Sequence, residues 1–325
     1  MKAIRNKIAL ALALVTVTAS MVGCSSNKAT EEVATSNLSE LTITHVTSPL
    51  NVPSIIQKNK EVFKQEFAAN GKNIEVKYAE ITSGAAQPQA LASGDVDILY
   101  AVGGTSVVSS AANGADIKVL NMYSRSPKAF CLYSKDDSIK SAEDLRGKTI
   151  AGPTGTNLHQ LLLAYLDKAG MTIDDVNYVN MSIADAKAAL DGGSIDAALV
   201  AGPTAYKSKQ QGYNLVTDGE GLTDAVIAVA VREDFYNEHK DVIDMFMNAQ
   251  AEIVDYIENN YDETMEIVAQ ELDLDKSAVE EMYEQYDFNI ETTEEDRQAF
   301  QNVADFMYDA GMIENEFDTS DLFLN

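Results

Sequence analysis

Ala90-Leu91-Ala92-Ser93-Gly94-Asp95-Val96-Asp97-Ile98-Leu99-Tyr100-Ala101-Val102-Gly103-Gly104-Thr105 has a relative 99 residues further along the chain. That relative is Ala189-Leu190-Asp191-Gly192-Gly193-Ser194-Ile195-Asp196-Ala197-Ala198-Leu199-Val200-Ala201-Gly202-Pro203-Thr204, and six of the sixteen positions match without a gap. Each copy reads as a helix end, a glycine turn, an acidic residue, a buried strand and a Gly-containing loop. The glycines after Leu91 and Leu190 suit a helix C-cap, where φ is positive. The period is too long for a solenoid. Two copies so far apart predict two similar α/β lobes. Each would present a loop at the carboxyl end of a strand, where open α/β sheets bind ligands.

The segments around the repeat agree. Leu41-Thr42-Ile43-Thr44-His45-Val46 alternates like a strand, and a Pro-containing loop, 47–53, follows it. A single helix is expected from about Ser54, with Ile55, Ile56, Val62, Phe63 and Phe67 on one face. Ile74 to Tyr78 alternates again, so strand, helix, strand and helix argue for a mostly parallel sheet. In the second half, Leu158, Leu161, Leu162, Tyr165, Leu166 and Ala169 form one helical stripe that Gly170 closes. Ser182-Ile183-Ala184-Asp185 has the form of a capping box. Beyond residue 232 the pattern is nearly all helical. Val242, Ile243, Phe246, Ile253, Val254 and Ile257 share a face, and Thr293 to Asp296 opens the last long helix.

The 325 residues suffice for two domains or one two-lobed one. Lys2, Arg5 and Lys7 precede an apolar run from Ile8 to Val17, and Met21-Val22-Gly23-Cys24 follows. That layout is a signal peptide over 1–23, with an h-region shorter than the roughly 20 apolar residues of a membrane span. Its last four residues resemble a lipobox, so Cys24 is expected to be diacylated. Residues 24–39 are polar and lack aromatics, which predicts a flexible tether with an end-to-end distance of about 20–25 Å. The expected location is the extracytoplasmic face of a membrane.

The second cysteine, Cys131, lies in the apolar run 129–133 and reads as a small buried hydrophobe. Acylation of Cys24 would leave no intrachain disulfide and no cysteine metal cluster. Residues 231–325 hold 28 acidic against 4 basic side chains. Those helices read as a solvated acidic surface in preference to the alternative, a docking face for a basic partner. No basic stripe exists, which argues against nucleic-acid binding.

Enzyme signatures are absent. His45, His159 and His239 show no metal-ligand spacing and no nucleophile elbow. His159 begins a helix at a Gly-rich loop, which leaves a place near a pocket open to it, but a polar surface residue is the better reading. Gly152-Pro153-Thr154-Gly155-Thr156 lacks the Lys-Ser/Thr pair of a phosphate loop, yet it stands between a strand and the helix that begins near Asn157. Backbone N–H groups there lack helical partners and carry the positive end of the dipole. They can hold a sulfonate, carboxylate or phosphate without an arginine. Gly103-Gly104-Thr105-Ser106 repeats the arrangement in the first lobe, and Ser83-Gly84 is a third candidate. Each loop alone is an ordinary capped helix start; several of them split over two lobes point to a cleft.

At this point a resemblance is specific. Ile139-Lys140-Ser141-Ala142-Glu143-Asp144-Leu145-Arg146-Gly147-Lys148-Thr149-Ile150-Ala151 is similar to the IKSxxDLKGKKVA signature of solute-binding proteins of ABC importers. Gly155-Thr156-Asn157, Leu161 to Leu163, Ala169 to Val176 and Gly192 to Ala197 extend the likeness, which covers about 40–325. The group it most resembles binds sulfonates, nitrate and taurine, and includes thiamine-precursor binders. The resemblance implies a two-lobed type II periplasmic-binding-protein fold, α/β, with two Rossmann-like lobes, a ligand cleft and C-terminal helices. Lobe 1 would be 40–125 plus 229–325, and lobe 2 would be 126–228, with crossovers near Arg125–Lys128 and Val226–Val231. Ligand would draw the lobes shut. Implied ligand positions are Ser48, Pro49 and Leu50; Ser83 and Gly84; Gly104, Thr105 and Ser106; Thr154, Gly155, Thr156 and Asn157; and Ala201 and Gly202. The expected partners are a small organic anion and the permease and ATPase subunits of an importer, with no metal or cofactor. The chain has no Trp and lacks the cysteine-rich motif of the pyrimidine-synthesising relatives, so that activity is not implied. Two alternatives stay open: a ligand-sensing lipoprotein without a transport role, and a hydrolase using a Ser or Thr in the cleft.

Overall fold

The structure, a computed structural model, describes residues 37–82, 84 and 86–324. The expected signal peptide, Cys24, most of the tether and Ser83 lie outside the described residues. The strands are β1 (Glu40–Thr44), β2 (Glu75–Ala79), β3 (Ile98–Gly103), β4 (Lys118–Arg125), β5 (Phe130–Ser134), β6 (Thr149–Gly152), β7 (Asn177–Asn180), β8 (Ala197–Ala201), β9 (Asn214–Asp218) and β10 (Val226–Val231). The helices of the first half are α1 (Val52–Lys60), α2 (Val62–Ala69), α3 (Ala86–Ser93), α4 (Gly104–Ala112), α5 (Asn157–Asp167), α6 (Ile183–Asp191) and α7 (Gly202–Gln210). The rest are α8 (Glu233–Glu238), α9 (Lys240–Asn259), α10 (Tyr261–Leu272), α11 (Lys276–Tyr283) and α12 (Glu294–Asp309).

Ten strands form two five-stranded sheets, in the orders β2-β1-β3-β10-β4 and β7-β6-β8-β5-β9. The orders are the same pattern twice: a parallel trio, then an antiparallel strand, then an edge. In each sheet the antiparallel strand, β10 or β5, is the one that enters straight after the chain has crossed from the other sheet. All six residues of β10 pair within the first sheet. The return crossing therefore falls before Val226, ahead of the 228/229 boundary expected from sequence.

The repeat has a bonding counterpart. Asp97 Oδ2 accepts the Thr42 N–H at 2.8 Å, and the Asp97 N–H donates to Thr42 O at 2.9 Å. Asp196 does the same with Thr149, at 2.7 and 2.8 Å. Each aspartate thus ties a residue of one parallel strand, Thr42 in the middle of β1 or Thr149 at the start of β6, to the start of its neighbour. Gly94 and Gly193, with φ of 79° and 71°, end the preceding helices in the left-handed region as expected.

Side chains alternate between the faces of each sheet. In β10, Ile227, Val229 and Val231 join the core under α1, α2 and α9, while Val226, Ala228 and Ala230 face α4 and α12. Ala101 breaks the rhythm of β3: Val102 pairs with Ala228 and Tyr100 with Val229, leaving Ala101 as the extra residue of a bulge at φ 80°. In the second sheet, Leu132, Ile150 and Leu199 pack with α5, and Cys131, Ala198 and Val200 with α6. Cys131 is buried, and burial pushes its thiol up to about 12.

One expected helix is two. Glu61 takes φ 51° and its N–H bonds back to the carbonyls of Gln57 and Lys58, which closes α1 before α2 begins. The break re-aims the chain, and Phe63 and Phe67 of α2 are fully buried with Ile55 and Ile56 of α1. Phe63 stacks on Phe246 of α9 at 4.4 Å.

Arg125, at the end of β4, fastens the C-terminal helices. Its Nε and Nη2 meet the two Asp296 oxygens at 2.6 and 2.5 Å, and Nη1 and Nη2 also donate to the carbonyls of Asn289 and Glu291. Asp296 is 3% exposed and closes the capping box of α12 with Thr293. Burial pushes its carboxyl up, but the Arg125 and Thr293 bonds outweigh that and hold it below its usual value. Stability from this group is therefore present above about pH 4 and is lost as pH falls further. Arg125→Ala, which strands a buried carboxylate, is expected to cost about 3 kcal/mol, read by urea denaturation at pH 7. The cost should shrink as the pH drops below about 4.

Candidate functional site

The carboxyl ends of the central strands carry the loops singled out by sequence, and they meet between the two sheets. β1 runs into Ser48, Pro49 and Leu50; β3 into Gly104, Thr105 and Ser106; β6 into Thr154 to Asn157; β8 into Ala201 and Gly202.

Four direct approaches join the first-sheet loops to the second-sheet loops. Thr105 Oγ1 donates to Asn157 Oδ1 at 3.1 Å. Ser106 Oγ donates to Gly155 O at 3.4 Å. The Asn157 amide Nδ2 donates to the Val226 carbonyl at 3.4 Å, so this one side chain holds both α4 and the start of β10. Gly202, at φ 54°, lies flat against Pro49, and a Cβ there would overlap the Pro49 carbonyl. A Cβ on Gly84 would come within 2.9 Å of Ser106 Oγ and 3.3 Å of Thr156 Cγ2, which places Gly84 in the same group. Absent side chains, at positions 84 and 202, are what let the backbones approach.

Several expected positions face elsewhere. Leu50 and Ala201 are fully buried in the core, and Ser48 is exposed. Thr156 Oγ1 donates to Pro153 O at 2.8 Å, and the Thr154 N–H to Asn180 Oδ1 at 3.0 Å. Hydroxyl and amide donors of the second-sheet loop are thus spent on shaping the loop or bridging to the other sheet. The first turns of α4 and α5, whose N–H groups no helical carbonyl can reach, begin at this junction. Neither helix has a side-chain cap, and no acidic residue lies in either first turn. The positive ends of both dipoles therefore converge without a carboxylate to neutralise them. The start of α1 differs. Tyr123 OH accepts the Ser54 N–H at 3.1 Å and sits 2.9 Å from Ser54 Oγ, so a buried tyrosine already fills that helix end.

His159 corrects the sequence reading. It is 9% exposed rather than a surface residue. Its ring stacks on Tyr178, with centroids 4.8 Å apart, and its Nδ1 accepts the Gly155 N–H at 3.4 Å. The Tyr178 hydroxyl donates to Gly152 O at 2.8 Å. Burial lowers the His159 pKa and pushes the Tyr178 phenol up to about 12. The only hint in the sequence was position: the third residue of a helix can reach back to the loop before it. Nothing in the sequence pointed to Asn157 bridging to Val226, nor to Tyr123 filling the α1 start, since both depend on contacts more than 60 residues apart.

A family model described as NMT1/THI5 like matches residues 55–264. A protein of Bacillus subtilis (strain 168), provisionally named an aliphatic sulfonates-binding protein, is 28% identical over 319 residues, 97% of this chain and 94% of that one. The taurine-binding periplasmic protein of Escherichia coli (strain K12) is 30% identical over 198 residues, 60% of this chain and 59% of that one. Among solved structures, the alkanesulfonate-binding protein SsuA from Xanthomonas axonopodis pv. citri bound to MOPS superposes with a TM-score of 0.80 at 21% identity, covering 88% of this chain and 98% of that one. Two α/β lobes of like topology, loops that meet between them and a family match over most of the body lead to one conclusion: this chain belongs to the NMT1/THI5-like family and has the two-lobed periplasmic-binding-protein fold.

Proposed function

We propose that the protein captures a small organic anion of the sulfonate class between its two lobes and delivers it to an ABC importer. The observation that carries this reading is the junction of the α4 and α5 starts, joined by Thr105 and Asn157. Two uncapped helix N-termini, one from each lobe, suit a sulfonate, because each offers N–H donors and positive dipole ends without a counter-charge to desolvate. The first lobe comprises 40–125 and 226–325, and the second 126–225. The cross-lobe bonds describe a closed arrangement, so ligand entry requires the lobes to part about the two crossings. Relatives named for sulfonates and taurine support the substrate class. They are binding proteins by name, which favours capture over hydrolysis. The signal peptide and the lipidated Cys24 complete the proposal: they place the body at the outer face of a membrane, near a permease.

A thermal-shift series with taurine, short alkanesulfonates and matched carboxylates tests the reading. A true ligand at a hundredfold excess over Kd stabilises by about 2.7 kcal/mol. No shift with any sulfonate would refute the substrate class. Asn157→Ala removes two cross-lobe bonds and is expected to weaken binding about tenfold, while ligand-free stability falls by only about 1 kcal/mol. Gly202→Ala puts a methyl where the Pro49 backbone sits, so it should prevent closure. Small-angle scattering of that variant should show no ligand-induced compaction, where the wild type compacts. Mass spectrometry of membrane-extracted protein checks the anchor: a diacylglyceryl mass on Cys24, absent in Cys24→Ser.

A further inference from the structure

His159 is the one histidine among the described residues that touches a junction loop, and the capture function as stated does not use it. It occupies the third position of α5 and turns back to the loop that precedes the helix. Its Nδ1 accepts the Gly155 N–H at 3.4 Å, and the Gly155 carbonyl in turn accepts Ser106 Oγ from the other lobe. Gly155 sits at φ 73°, so its peptide orientation is not fixed by ordinary backbone preference. The bond to His159 is the side-chain contact on its N–H. An imidazole nitrogen accepts a hydrogen bond only while it is unprotonated. The neutral tautomer that accepts at Nδ1 carries its proton on Nε2; a second proton converts Nδ1 to a donor aimed at another donor.

We propose that His159 is a positioning residue that couples ligand capture to pH: in its neutral form it holds the Gly155 peptide in the orientation that receives the anion and the other lobe, and protonation releases that loop. The proposal rests on the capture reading above for its ligand but not for the loop itself.

The surroundings leave His159 as the titrating group. It packs between β7 and the loop, and Tyr178 is its titratable neighbour there, with a phenol that stays protonated in the physiological range. Of the elements packed on α5, α4 and β8 carry no titratable side chain. Cys131 and Tyr133 of β5 belong to the core on the opposite face of the sheet. His45, in the first lobe, is buried, and burial first and Lys58 second lower its pKa from 6.5 to about 4. Burial also lowers the pKa of His159 from its ordinary 6.5. The neutral form therefore predominates at pH 7, and the loop is released only at pH values below the ordinary histidine value of 6.5. The bound state prefers unprotonated His159, so binding in that acid range releases a proton and affinity falls with acidification.

Isothermal titration of the detergent-solubilised full chain with ethanesulfonate from pH 5 to 8 reads the coupling. The expected profile for wild type is flat above pH 6.5 and drops about tenfold per pH unit below the His159 pKa. His159→Gln keeps an acceptor that cannot titrate and should flatten the profile with near wild-type affinity at pH 7. His159→Phe keeps the stack on Tyr178 but has no acceptor, and should bind about tenfold more weakly at every pH. If His159→Gln shows the same acid drop as wild type, or if binding takes up protons, the proposal is overturned. The amide exchange of Gly155 in ligand-free protein, followed by NMR, is independent of any ligand. Protection should be lost with acid in wild type and retained in His159→Gln. Acid-insensitive Gly155 exchange in wild type overturns the proposal even if ethanesulfonate binds. Acid-sensitive exchange without any sulfonate binding supports the switch and counts against the substrate class alone.

Discussion

Pro127 and Gly219 touch where the two chain crossings pass each other, and the architecture depends on that contact. The Gly219 N–H donates to the Pro127 carbonyl at 3.1 Å. A Cβ on Gly219 would stand 2.5 Å from the Pro127 oxygen, a distance that backbone atoms cannot yield to cheaply. Each crossing feeds an antiparallel strand into the middle of the sheet it enters, between a parallel trio and an edge. A strand inserted there is held by hydrogen bonds on both sides, so the crossings are fixed at their ends and thin in between. Two such segments, joined by the Gly219–Pro127 hydrogen bond and an exposed Lys128–Glu220 ion pair at 3.0 Å, connect the lobes.

The lobes themselves are made rigid by devices that occur twice. Asp97 and Asp196 set the register of a parallel pair in their respective sheets and so fix where the following strand ends. The strand end fixes where the next helix begins, and the helix begins at the junction. A register slip of one residue would turn every buried side chain of β3 or β8 to the opposite face. The junction's geometry is thus inherited from two half-buried carboxylates, each a few residues before the loop its strand runs into. Burial raises the pKa of Asp97, with the Thr42 bond opposing.

Electrostatics at the junction come from peptides rather than ionic side chains. The acidic excess of the last 95 residues lies on helices that flank the first sheet, and the first turns of α4 and α5 contain no acidic side chain. Dipole ends and short N–H donors act over a few ångströms, whereas surface carboxylates are screened beyond about 8 Å at physiological salt. A negatively charged protein can therefore present a locally electropositive site to an anion. Lys209 of α7 and Glu281 of α11 add an exposed ion pair at 2.5 Å between the second lobe and the C-terminal helices, of the kind that contributes at most about 1 kcal/mol.

Local chemistry made much of this legible. The 16-residue repeat announced two lobes because helix cap, acidic residue and strand are neighbours in sequence, and each obeys short-range rules. Thr293 to Asp296 capped α12 as its spelling required, and Ser182 accepts the Asp185 N–H as expected. The glycine-bearing loops were found because positive φ and close approach demand glycine. Tertiary structure decided what those rules do not reach. Glu61 broke one amphipathic stripe into two helices, because the core favoured a turn that propensity did not encode. Tyr123 filled the start of α1 while those of α4 and α5 stayed without a side-chain cap, and Asn157 became a bridge instead of a free donor. His159, read as a surface residue, was buried on Tyr178 and tied to Gly155. Each of these is set by a partner brought near only when the two sheets have formed, and a sequence read through local periodicity carries no record of which distant group will arrive.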